Sequence, residues 1–207
     1  PQGLGRAATM DLPAGKFLWG SQAGGSGFST WRKDAAGLVK TATIPDTDAT
    51  FLDGITHLST TRMATGDYLL ALGGADHGLS SFRIDPGGAL SVAGSTGALD
   101  GIGINRPLAL VEVGPAGSGR LVMAAQGSSS LTVIRLLADG KPVATDHVID
   151  SLDTRFANVT AIASATAQDR VFVVAGGSDG GISLFELLPN DRLVHHRVLL
   201  DGAATAL

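Results

Sequence analysis

The sequence predicts an all-β fold assembled from one unit used four times. Three observations carry that prediction: a repeat of about 51 residues, four short apolar runs inside each copy, and a composition rich in turn residues. The repeat shows in the segments starting at Phe17, Tyr68, Arg120 and Val171, which lie 51, 52 and 51 residues apart. Eleven residues beyond each start stands an apolar residue: Phe28, Leu79, Leu131 and Ile182. Three further on come Trp31, Phe82, Ile134 and Phe185, followed by Arg32, Arg83, Arg135 and Glu186.

Within a copy, the apolar runs have strand length and are separated by Gly, Asp, Ser and Pro, the punctuation of hairpins. Strands A to D of the first copy are read at Leu4–Met10, Lys16–Gly20, Phe28–Arg32 and Leu38–Ile44. Those of the second are Ile55–Met63, Asp67–Leu72, Leu79–Ile84 and Ala89–Ala93. The third uses Leu108–Val113, Arg120–Ala124, Leu131–Leu136 and Pro142–Val148, and the fourth Val159–Ala165, Arg170–Ala175, Ile182–Leu187 and Leu193–Leu200. Four antiparallel strands in a unit of this length, repeated, describe the blade of a β-propeller. One such sheet has two faces and cannot bury both alone; stacking units face to face does.

The predicted units are 1–50, 51–104, 105–156 and 157–201, with 202–207 beginning a further inner strand. No strand is exchanged between first and last. The sequence therefore predicts part of a larger propeller whose partners are the remaining blades of a parent protein, or a second copy of itself.

Composition excludes several classes. The 207 residues are 44% hydrophobic and 16% charged, too apolar for a disordered chain. The absence of cysteine excludes a disulfide scaffold, a Cys-ligated zinc site and a thiol nucleophile. A net charge of −4 supplies no electrostatic ground for binding nucleic acid or an anionic membrane. No apolar run approaches the roughly 18 residues of a membrane-spanning helix.

The run Asp169-Arg170-Val171-Phe172-Val173-Val174-Ala175-Gly176-Gly177-Ser178-Asp179-Gly180-Gly181-Ile182-Ser183-Leu184-Phe185 resembles lactonase-like, YVTN-type propeller repeats. It is similar above all to the propeller regions of secreted bacterial hemolysin-type calcium-binding (RTX) proteins. Few lysines, no cysteine and abundant glycine fit the same resemblance. It implies a secreted bacterial protein whose propeller serves as a scaffold or binding platform. The calcium nonapeptide G-G-x-G-x-D-x-U-x is absent, and no catalytic residue carries over by motif.

Candidate sites follow from the two faces of a propeller. Loops B–C and D–A share one face, where Asp46, Asp48, Asp53, Asp76, Asp100, Asp150, Asp153, Asp179 and Asp201 outweigh Arg106 and Arg155, a net of −7. The opposite face balances to 0. Carboxylates gathered at a channel mouth suit a hard cation, so calcium is the candidate ion and Asp46, Asp48, Asp100, Asp153 and Asp179 its candidate ligands. Aspartate is equally a good turn residue. His77, beside Asp76 on that face, is the candidate base or ligand, with Arg155 nearby. Three functions stay open: a non-catalytic platform, a metal-dependent lactonase-like hydrolase, and a half-propeller that self-associates.

Overall fold

The computed structural model describes residues 3–201, without the side chains of Leu200 and Asp201; the strand expected from 202 onward lies outside the described residues. Sixteen strands form four antiparallel sheets. The first blade is β1 (Leu4–Leu12), β2 (Gly15–Gln22), β3 (Phe28–Asp34) and β4 (Gly37–Ile44). The second is β5 (Ile55–Met63), β6 (Gly66–Gly73), β7 (Gly78–Ile84) and β8 (Leu90–Gly97), followed by a 3-10 turn, Ala98–Asp100. The third is β9 (Pro107–Glu112), β10 (Arg120–Ala125), β11 (Ser130–Leu136) and β12 (Pro142–Ile149). The fourth is β13 (Ala161–Ala167), β14 (Arg170–Gly176), β15 (Gly181–Leu187) and β16 (Leu193–Asp201). Each sheet is ordered as its strands run in sequence, and the inner strands β1, β5, β9 and β13 neighbour one another in turn. Among the described residues no strand is shared between blades, so the four blades form an open, propeller-like arc.

Strand parity builds the core. Successive side chains point to opposite faces of a sheet. In β6, Leu69 and Ala71 enter the seam with the first blade, while Leu70 and Leu72 enter the seam with the third. In β10, Leu121 and Met123 join that second seam, and Val122 and Ala124 the seam with the fourth blade. Four blades thus enclose three seams. The end blades bury one face only: β10 is buried almost throughout, whereas β14 alternates buried with half-buried and β4 is exposed along most of its length.

Two devices recur at every seam. The loop entering each new blade drives a large apolar residue between the sheets: Leu52, Ile104 and Phe156, at 0%, 3% and 0% exposure. The loops carrying Leu52 and Phe156 are held alike. One oxygen of Asp46 accepts the Thr50 hydroxyl and the Leu52 N–H, and one of Asp150 accepts the Thr154 hydroxyl and the Phe156 N–H. At the opposite end of the seam, the first core residue of strand B meets the C–D hairpin of the next blade, at a residue of positive φ. Phe17 lies against Gly88 (φ 85°) and Tyr68 against Gly140 (φ 86°). A Cβ on either glycine would enter the ring beside it. In the third seam Arg120 meets Asp191 (φ 64°).

This geometry corrects the fourth copy of the repeat. Arg32, Arg83, Arg135 and Glu186 pair across their hairpins with Phe17, Tyr68, Arg120 and Phe172, so Phe172 and not Val171 is the fourth equivalent. Val171 to Val174 is an unbroken apolar run, in which both parities read alike, and a one-residue slip reverses every facing. Strand β13 also starts two residues later than expected, at Ala161, after an entering loop in which Asn158 takes φ 45°.

Candidate functional site

The inner strands of the first three blades each carry a bulge near the same end. Register shifts occur between Leu4 and Ala7 in β1 and between Ile55 and His57 in β5; in β9, Leu108 is the extra residue between Pro107 and Ala109. Bulges re-aim side chains and tend to sit beside functional sites. Here they help line a shallow groove of about 320 Å³ formed by Arg6, Ala7, Thr56, His57, Leu58, Leu108, Ala109 and Thr160, which draws on all four blades. A second groove of about 400 Å³ shares Thr56 and Leu108 and adds His77, Arg106 and Gln126. The two grooves adjoin at Thr56 and Leu108, and the pair forms the trough of inner strands and entering loops. Its lining holds two arginines and two histidines, and no carboxylate.

Hydrogen bonds fix this lining. The N–H of Arg106 (φ 51°) donates to Nδ1 of His77 at 3.1 Å, and the carbonyl of Arg106 accepts Gln126 N–H at 3.0 Å. Thr56 donates its hydroxyl to the Pro107 carbonyl at 2.7 Å. The Arg106–His77 contact belongs to a series: Gly54 N–H donates to the Gly25 carbonyl, and Asn158 N–H to the Ser129 hydroxyl. Each entering loop is clasped by the B–C loop of the blade before it. His77 therefore has a structural task. With Nδ1 accepting, its proton lies on Nε2, which makes it a donor toward a ligand rather than a base.

His57 has the converse character. Burial, and then the charge of Arg6, hold its imidazole below the ordinary value of 6.5. Its Nε2 is buried and has no hydrogen-bond partner. Burial and the guanidinium both disfavour the protonated ring, so His57 is held neutral as a weakened base. Sequence reading missed both Arg6 and His57, because they lie on inner strands and only a bulge turns them to the groove.

The aspartates lie elsewhere. Asp46 caps a loop, as described. Asp76 accepts Asp53 N–H at 2.7 Å, and burial, with the charges of Asp46 and Asp53, raises its pKa. Asp100 accepts Gly97 N–H. Asp48, Asp153 and Asp179 are exposed in loops. Arg155 is built into its own loop: its N–H donates to Ser183, and its guanidinium to the carbonyls of Leu152 and Thr154. Among the described residues no three His, Cys, Asp or Glu side chains converge so as to hold a metal ion. Of the residues expected at a site, only His77 lines the trough.

No protein-family model and no curated protein sequence matches the chain. Solved structures do. A functionally unknown protein from Desulfotomaculum acetoxidans DSM 771 superposes with a TM-score of 0.66 at 15% identity, over 95% of this chain and 56% of that one. A protein from Lactobacillus plantarum gives 0.69 at 15% identity, over 94% and 57%. A candidate 6-phosphogluconolactonase from Bacteroides uniformis ATCC 8492 gives 0.66 at 11% identity, over 98% and 56%. The chain thus spans little more than half the length of these neighbours, and what it shares with them is the propeller-like fold. Among the three, the lactonase side of the sequence resemblance has a counterpart and the hemolysin side has none. No helix among the described residues is long and apolar enough to cross a membrane.

Proposed function

We propose that this chain is a binding platform of propeller type that takes a small anionic molecule, a carboxylate or phosphate ester, in the trough along its inner strands. One observation carries this reading: two adjoining grooves, one lined by Arg6 and His57 and the other by Arg106 and His77, have no carboxylate in their lining. Guanidinium groups hold such oxyanions by charge-assisted hydrogen bonds. The same lining argues against calcium at the axis, since calcium needs six or more oxygen ligands. Titration calorimetry with 6-phosphogluconate and with gluconate tests the reading. Binding that weakens at least about tenfold in Arg106→Ala, and falls with salt, supports it; binding unaffected by that substitution refutes it.

The second reading is lactonase-like hydrolysis, favoured by the fold's likeness to a candidate 6-phosphogluconolactonase and by a neutral imidazole, His57, at the groove. In that reading a movement that uncovers Nε2 of His57 lets the imidazole take a proton from water as the oxygen attacks a lactone carbonyl. The ring C–O bond then breaks and the leaving oxygen is protonated, giving a hydroxy acid. A pH-stat assay on six-membered lactones, with His57→Ala as control, separates it from plain binding. Placement in a secreted hemolysin-type protein rests on the sequence resemblance alone.

A further inference from the structure

The two grooves of the trough differ in place and in lining. The inner one, about 320 Å³, lies among the inner strands, where Arg6 and His57 occupy one position of the repeat, 51 residues apart. Strand pairing fixes that equivalence. Ala8 and Ser59, two residues further along, pair with Trp19 and Leu70, which follow Phe17 and Tyr68 by two. By the same pairing the third and fourth blades have Ala109 and Ala161 at this position. With His57 held neutral, Arg6 is the cation among the four. The outer groove, about 400 Å³, opens between the second and third blades. Their B–C loops supply His77 and Gln126, and the loop entering the third blade supplies Arg106.

Among the described residues, neither Arg6 nor Arg106 has a hydrogen bond or ion pair to its guanidinium; both bond through the backbone. Arg62, Arg120 and Arg170, by contrast, each hold a carboxylate. The junction between the grooves has another character. Thr56 and Leu108 line both. The Thr56 hydroxyl donates to the Pro107 carbonyl, and its methyl carbon lies against Gly74, 2.6 Å from where a Cβ would stand. The Leu108 side chain is hydrocarbon. The side chains of the junction thus offer a ligand apolar surface and no free donor, with an unpaired guanidinium in the groove on either side.

We propose that the ligand of the trough is a linear dianion with an apolar middle, of the α,ω-dicarboxylate class, held by Arg6 at one end and by Arg106 with the Nε2–H of His77 at the other. This rests on the reading of the trough as an anion site and narrows it. A single anion leaves one guanidinium without a partner charge. Joining two anionic groups makes the second contact intramolecular, and the gain is largest when the linker matches the span. Methylenes suit the middle, because a hydroxyl buried there against Leu108 loses water without gaining a side-chain partner.

Titration calorimetry of the intact chain at neutral pH and low salt tests this, with the saturated dicarboxylates from succinate to sebacate and a monocarboxylate of each length as probes. The expected result is an affinity that peaks at one chain length, where the diacid exceeds its monoacid at least about tenfold. Arg6→Ala and Arg106→Ala should each bring that diacid down to the affinity of the monoacid. Glucarate, the hydroxylated counterpart of adipate, should bind more weakly than adipate. A diacid no tighter than its monoacid at any length overturns the proposal; if Arg106→Ala still weakens both, the trough remains an anion site and only the two-ended ligand is lost. Glucarate binding more tightly than adipate overturns the apolar middle. Absence of binding by all these acids overturns the inference, and the reading beneath it falls as well if 6-phosphogluconate also fails to bind. The comparison of acids needs no variant protein, so it stands even if a variant folds poorly.

Discussion

Asp191 accepts Arg120 Nε at 2.7 Å and stands where the two preceding seams have a glycine. Its other oxygen takes Arg135 Nε, also at 2.7 Å, and Arg120 reaches on to the Leu188 carbonyl. The side chain of Asp191 is 8% exposed and that of Arg120 13%. One contact position is thus filled twice by a ring on a glycine and once by a buried ion pair.

That interchange predicts strong coupling. Arg120→Tyr alone leaves Asp191 with a single partner, and Asp191→Gly alone leaves Arg120 uncompensated. Each is expected to cost about 3–5 kcal/mol, the usual penalty for orphaning a buried charge. The double variant rebuilds the arrangement of Tyr68 on Gly140 and should recover most of the loss. Arg135, at 38% exposure, can turn to solvent. Urea unfolding of the four proteins of the cycle measures the coupling; simple additivity would refute the equivalence.

Phe156 and Phe172 separate a closed seam from an open face. Phe156→Ala removes a fully buried ring from the third seam and should destabilise by about 3–5 kcal/mol. Phe172 lies on the uncovered side of the fourth blade, with the Arg170 guanidinium 5.1 Å from its centroid. Its removal should cost less than about 1 kcal/mol. Denaturant midpoints of the two variants make the comparison.

Acid should weaken the fold through two imidazoles. Burial and then Arg6 lower the pKa of His57; burial lowers that of His147, against the pull of Asp146. A histidine depressed in the folded state contributes stability that is complete above its ordinary value of 6.5. That contribution is lost as pH falls from there through the folded value, because the unfolded chain takes up the proton first. Thermal melts between pH 8 and 5 should show a falling midpoint, and His57→Gln should flatten the fall.

Asp76 behaves oppositely. Burial raises its pKa above 3.8, helped by Asp46 and Asp53, so its contribution favours the fold at low pH and is lost as pH rises through the folded value. Asp76→Asn keeps an acceptor for Asp53 N–H and removes the charge. A higher melting temperature at pH 7, with the gain vanishing near pH 3, is the expected outcome.

The repeat, the sixteen strands and the loops were legible because turn residues and apolar runs report backbone directly. Trp31, Phe82, Ile134 and Phe185 fell on their true equivalents. Val171 did not, because an apolar run hides parity. Counting charges by loop placed aspartates at one face, but Asp46, Asp100 and Asp150 spend their oxygens on their own loops. Arg6 and His57 gained their position from bulges, which depend on pairing between strands and leave no mark in a single sequence.

The three enclosed seams also set an order of disassembly. Strands β6 and β10 have core neighbours on both sides, while β4 has almost none. In a chain of stacked units, opening begins where a unit has a single neighbour. Amide exchange should accordingly be fastest at the two ends of the arc and slowest in the middle pair of sheets. The trough would then lose its Arg6 wall while Arg106 and His77 still stood in place.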